Sequence, residues 1–192
     1  ISVSDYNYNY SYSFNDTKEK LTTWEWNYDR NETDRIIERF GVPDTFFESY
    51  TITDENLRKR IKQMDDGMFM AIEGTNYVVP DLNRMSNFYM DSCKGVYDNW
   101  KSYCKKNKLS ERDTIQLLLN FCQDIPYGVP PSDYNNKTIS GIIPPPKIFN
   151  NGWGDCDSKS VMFVSVLAFS PNNYDMVFVN VPGHIFVGIK GV

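Results

Sequence analysis

The chain of 192 residues is 41% hydrophobic and 23% charged, enough apolar content for one globular core. With 20 Lys and Arg against 25 Asp and Glu, the net charge of −5 and the lack of any basic block argue against nucleic acid or an anionic membrane surface as a partner. The longest apolar run, residues 161–169, is far short of the ~20 residues of a membrane span.

From the N-terminus, residues 6–14 (YNYNYSYSF) alternate aromatic and small polar side chains, the period of a strand with one aromatic face. A polar turn follows, and residues 21–28 resume the alternation with Trp24, Trp26 and Tyr28, so the pair reads as a β-hairpin. Its aromatic stripe is expected to pack on the domain; an exposed stripe would instead suit glycan binding. A short helix over 33–40 stops at Gly41, and a capped helix runs from Thr53 through Leu57, Ile61 and Met64. Pro80 opens a longer helix with Met85, Tyr89, Val96, Trp100 and Tyr103 as its apolar stripe. The SERD segment at 110–113 is a capping-box pattern that starts a further helix through Ile115, Leu118, Leu119 and Cys122.

Between Pro126 and Cys156 lie about thirty residues rich in Pro, Asn, Gly and Ser, a length that favours a binding or lid element over a spacer. The cysteines Cys93, Cys104, Cys122 and Cys156 contain no CxxC pair, and His184 is the single histidine, so neither zinc nor any other metal is expected, and no cofactor. Cys93 and Cys104 on one helix stand roughly 16 Å apart, too far for a disulfide, and free buried thiols are the expectation. The three N-x-T matches at Asn15, Asn31 and Asn136 are at chance level in a chain this rich in Asn and Thr. The chain opens on Ile1 rather than Met, which fits a removed leader and an exported protein, whether periplasmic, cell-surface or secreted.

The chemistry concentrates in two segments. GWGDCDSKS (152–160) runs directly into the apolar residues 161–169, a tight loop feeding a buried helix with Cys156 at its N-terminus. Backbone N–H groups and the helix dipole favour thiolate there, with Asp155 and Asp157 opposing it or capping the helix. In residues 174–190, two β-branched runs flank Val181, Pro182, Gly183 and His184, so a Pro-Gly turn places His184 at the head of the second strand of a hairpin. His184 follows Cys156 by 28 residues and is the one imidazole able to act as its base.

This order, together with LLLNFCQDIPY (117–127) and Pro145, Pro146 and Lys147 ahead of Gly152, resembles the transglutaminase-like cysteine peptidases of the papain-like superfamily over roughly residues 110–191. The resemblance implies an α+β fold with the nucleophile on a central helix against an antiparallel sheet, a helical front half and the aromatic hairpin. The chain is expected to divide into an N-terminal hairpin and connection (1–50) and a transglutaminase-like catalytic core (51–192) whose last strands lie beyond it. The resemblance also implies a peptide or protein substrate, Cys156 as nucleophile, His184 as general base, Gln123 as an oxyanion donor, and Trp153, Asp155 and Tyr127 in the acyl pocket. The family's third member, an Asp or Asn on the strand after the His strand, is expected past Val192, with Asp175 and Asn180 as weak substitutes within the chain. A catalytically silent binding or structural module is the competing expectation.

Overall fold

A computed structural model describes residues 1–47, 55, 59, 68–72 and 77–191. The fold is α+β, with several small antiparallel sheets around a set of helices. Strands β1 (Ser2–Val3), β2 (Asn7–Asn15) and β3 (Leu21–Asp29) form the largest sheet, and Tyr10 pairs with Trp26 and Tyr12 with Trp24 in its register. Asp16 closes the β2–β3 turn by accepting hydrogen bonds from the Lys18 and Lys20 amides at 2.7 and 2.9 Å. Helix α1 (Arg30–Arg39) begins at the Asp29 cap, three residues earlier than its apolar pattern suggests, and is capped by Phe40 ahead of Gly41, whose φ of +98° suits glycine.

The helix read over residues 53–64 lies outside the described residues except for Glu55 and Lys59, which are helical and form an i,i+4 ion pair at 3.4 Å. Two short strand pairs come next: β4 (Val42–Pro43) joins β7 (Lys137–Thr138), and β5 (Phe69–Ala71) joins β6 (Val78–Pro80). The single long helix expected after Pro80 is two, α2 (Leu82–Phe88) and α3 (Lys94–Asn107), separated by a 3₁₀ turn at Asp91–Cys93. The break lets α2 pack against the helix that begins at Cys156 while α3 turns to lie on β3. A continuous helix could not follow both surfaces.

Helix α4 (Glu111–Asp124) starts as its capping pattern predicts, with Ser110 accepting from the Asp113 amide at 3.2 Å. Ser110→Ala is therefore expected to cost about 1 kcal/mol in urea unfolding, and unchanged stability would mean that this cap contributes nothing. The Pro-rich connection is not structureless: residues 131–136 are exposed, whereas its second part folds onto the core. Pro145 opens the short helix α5 (Pro145–Asn151), and Ile142, Ile143, Ile148 and Phe149 are buried in the core. Helix α6 (Cys156–Leu167) crosses the centre of the molecule, with Val161, Met162, Val166 and Leu167 buried. The hairpin β8 (Met176–Val181) and β9 (His184–Ile189) packs on it through β9.

The N-terminal hairpin neither joins the β8–β9 sheet nor stands off as an arm. Tyr10, Phe14, Trp24 and Trp26 are buried, with ring contacts to Phe121 of α4 and Phe149 of α5. Of the aromatic stripe from Tyr6 to Phe14 only Tyr6 is exposed, so a continuous aromatic face for glycan binding is absent. The four cysteines are free thiols; burial pushes Cys104 up to about 12 and raises Cys93 and Cys122 as well. Among the described residues, no helix is long and apolar enough to cross a membrane.

Candidate active site

Cys156 is the first residue of α6. Asp155 caps that helix through the Ser158 amide at 3.0 Å, and Ser158 Oγ in turn accepts the Ile143 amide at 3.0 Å. Both residues are buried, so the loop carrying Cys156 is fixed from below. A second tie comes from the end of α4. The Gly154 amide donates to the Pro126 carbonyl at 3.1 Å and the Gly128 amide to the Gly154 carbonyl at 3.3 Å, a short parallel bridge between Tyr127 and Gly154. Lys159, one turn along α6, adds a third by donating through Nζ to the Ile125 carbonyl, where a cation complements the C-terminal end of α4. Burial lowers the Lys159 pKa.

These ties shape one cleft of about 510 Å³. Its floor is the α6 face of Cys156, Lys159 and Phe163; α4 contributes Ile115, Leu119 and Gln123; β9 contributes Ile185, Val187 and Ile189. Tyr127, 68% exposed, and His184 also line it. Four residues singled out in the sequence, Cys156, His184, Gln123 and Tyr127, therefore meet in one place. Two others do not. Trp153 lies against Gly128, where even an added methyl would stand 2.5 Å from the indole, and lines a separate cavity of about 90 Å³ beside Ile37 and Phe40. Asp155 is consumed as the buried cap of α6, and desolvation raises its pKa.

The state of the thiol differs from the expectation. Desolvation is the largest influence on Cys156 and raises its pKa, and Asp157, which accepts the S–H at 3.0 Å on Oδ1, raises it further. The backbone N–H of Ile185, directed at the sulfur, pulls the other way and does not prevail. The helix N-terminus is thus outweighed by burial and by two flanking carboxylates. In this conformation both burial and Asp157 favour the protonated thiol.

His184 heads β9 after the Pro182–Gly183 turn, with Gly183 at φ +76°, as its sequence predicts. Its side chain is placed by strand alternation. Val187 and Ile189 turn toward the core with Phe178 and Met176 opposite them, whereas His184 shares the outer face with Phe186, their rings 6.2 Å apart. Among the described residues no hydrogen bond joins His184 to Cys156 or to any carboxylate. Neither substitute for a third member reaches it. Asp175 pairs with Lys190 at 3.7 Å, and Asn180 stands opposite Ile185, on the other face of the hairpin.

Reasoning from sequence named Asp157 as opposing the thiolate, which its hydrogen bond to Cys156 bears out, but missed the Ile185 N–H and the apolar walls of the cleft. The walls had a signal: Lys159 and Phe163 follow Cys156 at three and seven residues, one helical face, as Ile115, Leu119 and Cys122 do on α4. The Ile185 amide had none, because backbone direction depends on register. None of the family models, curated proteins or solved structures compared with the chain matches it.

Proposed function

We propose that the protein is a thiol-dependent hydrolase or acyltransferase of transglutaminase-like type, acting on amide bonds of peptides or proteins. The observation carrying this reading is that Cys156, His184, Gln123 and Tyr127, drawn from three separate stretches of chain, line a single cleft. In the reaction, the Cys156 sulfur attacks the amide carbonyl carbon while its proton passes to His184. His184 then protonates the departing amine, leaving a thioester that water or a second amine cleaves. The Cys156 backbone N–H and the Gln123 side chain are the donors for the oxyanion, and the Ile185 N–H favours the thiolate form of the attacking sulfur. The step needs the S–H to leave Asp157 and the His184 ring to turn from the Phe186 side toward the sulfur.

A second reading, a catalytically silent domain used for binding, is favoured by one specific observation: the thiol is held by Asp157 and not by His184. Reaction with p-nitrophenyl acetate separates the two. An active enzyme gives a burst of p-nitrophenol equal to the protein concentration, abolished in Cys156→Ala and slowed on the order of 10²-fold or more in His184→Ala. A rate indifferent to both substitutions would remove the catalytic reading and leave the silent one.

A further inference from the structure

We infer that Lys159 is a positioning residue of this site: its ammonium ties the C-terminal end of α4, and Gln123 with it, to the helix that begins at Cys156. The inference rests on the proposed roles of Cys156 and Gln123 and adds a residue that acts through them.

Helix α4 needs such a tie. Its last turn carries no basic residue, Asp124 adds a carboxylate to the negative end of the helix dipole, and Ile125 leaves the helix in an extended conformation at φ −55° and ψ 127°. The left-handed residue that caps α3, Lys108 at φ 50°, has no counterpart there. Like every helix end, this one presents carbonyls without intrahelical partners. The donors that meet the chain as it leaves the helix come from α6 and the loop before it. Lys159 Nζ donates to the carbonyl of the buried Ile125, and the Gly154 amide donates to the Pro126 carbonyl. Asp124, on the same turn, accepts a hydrogen bond from Tyr12 of the N-terminal hairpin and attracts the Lys159 ammonium across the joint.

Register makes the tie matter to the site. Lys159 stands three residues after Cys156, on the same face of α6, and Gln123 stands two residues before Ile125, in the last turn of α4. The bond from Lys159 to Ile125 therefore fixes the last turn of one helix against the first turn of the other. The groups that shift the Cys156 thiol are its burial, Asp157, the Ile185 N–H and Asp155. Lys159 is not among them, so its influence runs through the placing of α4 rather than through the charge on the sulfur. Desolvation disfavours the half-buried ammonium, a penalty that a lysine reaching into solvent would not carry. Losing the tie displaces the oxyanion donor, and a shift of about 1 Å at such a group is worth up to about a hundredfold in rate.

The test compares wild type with Lys159→Met and Lys159→Arg in two reactions of one thiol, both read at Cys156 by mass spectrometry. With p-nitrophenyl acetate the sulfur bonds to the acetyl carbon, the bond from that carbon to the aryl oxygen breaks, and the thiol proton leaves with p-nitrophenol; charge develops on the carbonyl oxygen on the way. With iodoacetamide the sulfur displaces iodide and no oxyanion forms. Lys159→Met is expected to lower the saturating acylation rate about tenfold or more and to change the half-saturating ester concentration less than about twofold. Its pH profile of alkylation should match that of wild type. Lys159→Arg keeps the charge and the N–H donors and should recover acylation to within about threefold of wild type. Unchanged acylation in Lys159→Met, equal loss of acylation and alkylation, or an Arg variant as slow as the Met variant overturns the inference while leaving Cys156 a nucleophile. If Lys159→Met does not fold, as a circular dichroism melt would show, Lys159→Gln, neutral and one atom shorter, takes its place under the same expectations. A wild type without a burst from Cys156 ends the catalytic reading and this inference together, an outcome distinct from every difference between the variants.

Discussion

Alkylation of Cys156 by iodoacetamide is expected to be slow at neutral pH and to climb only above the ordinary thiol range near about 8.5. The sign follows from the surroundings. Desolvation and the Asp157 carboxylate both penalise thiolate, so the folded pKa lies above the usual value and the reactive form gains population only as pH rises through it. Asp157→Asn removes a negative charge and the carboxylate that accepts the S–H at 3.0 Å, leaving desolvation in place. The profile should move to lower pH and the rate at pH 8 should rise on the order of three- to tenfold, since one pKa unit is a tenfold change in thiolate. Mass spectrometry must assign the adduct to Cys156, because Cys93, Cys104 and Cys122 carry thiols too. An unshifted profile in Asp157→Asn would show that Asp157 does not hold the proton. A wild-type profile with its midpoint below the ordinary range would show that the helix N-terminus and Ile185 N–H prevail after all. This measurement also bears on regulation of the proposed chemistry, because a substrate that displaces Asp157 from the thiol would release the nucleophile as it binds.

The second large effect concerns the joint between the N-terminal hairpin and the helices. Phe121 is fully buried, and its ring centroid lies 4.8 Å from that of Trp24, 5.4 Å from Phe14 and 5.7 Å from Tyr12. Removing it empties a site walled by rigid aromatics that cannot collapse into the space. Phe121→Ala is expected to cost roughly 3–5 kcal/mol in urea unfolding, with each kcal/mol lowering the melting temperature by roughly 2–4 °C at this chain length. A loss below about 1 kcal/mol would mean that the hairpin is not docked on α4. Because Phe121 sits two residues before Gln123 on the same helix, the aromatic joint also bears on the cleft. The hairpin is therefore part of the framework that places α4 beside α6.

Much of the local structure was legible in the residues themselves. Period-two alternation gave both long strands, SERD gave the start of α4, and Pro-Gly gave the turn before His184, because each depends on side chains a few positions apart. The placing of Cys156 at a helix N-terminus was legible for the same reason. The helix broken between α2 and α3 was not, since what ends it is the pair of surfaces that the two halves must meet. Nor was the short helix in the Pro-rich connection, where burial of Ile142, Ile148 and Phe149 turns what reads as loop chemistry into core.

At the site, the sequence by itself determined which groups are present and that Cys156, His184, Gln123 and Tyr127 share a cleft was foreseeable only through their resemblance to a known order of motifs. Tertiary structure alone decided the rest. Trp153 went to Gly128, Asp155 to the cap of α6, and the thiol proton to Asp157. The physical reason is that a local pattern fixes a side chain's neighbours along the chain. Its protonation and its direction across a strand depend instead on desolvation and register, set by the helices and hairpin that close over it.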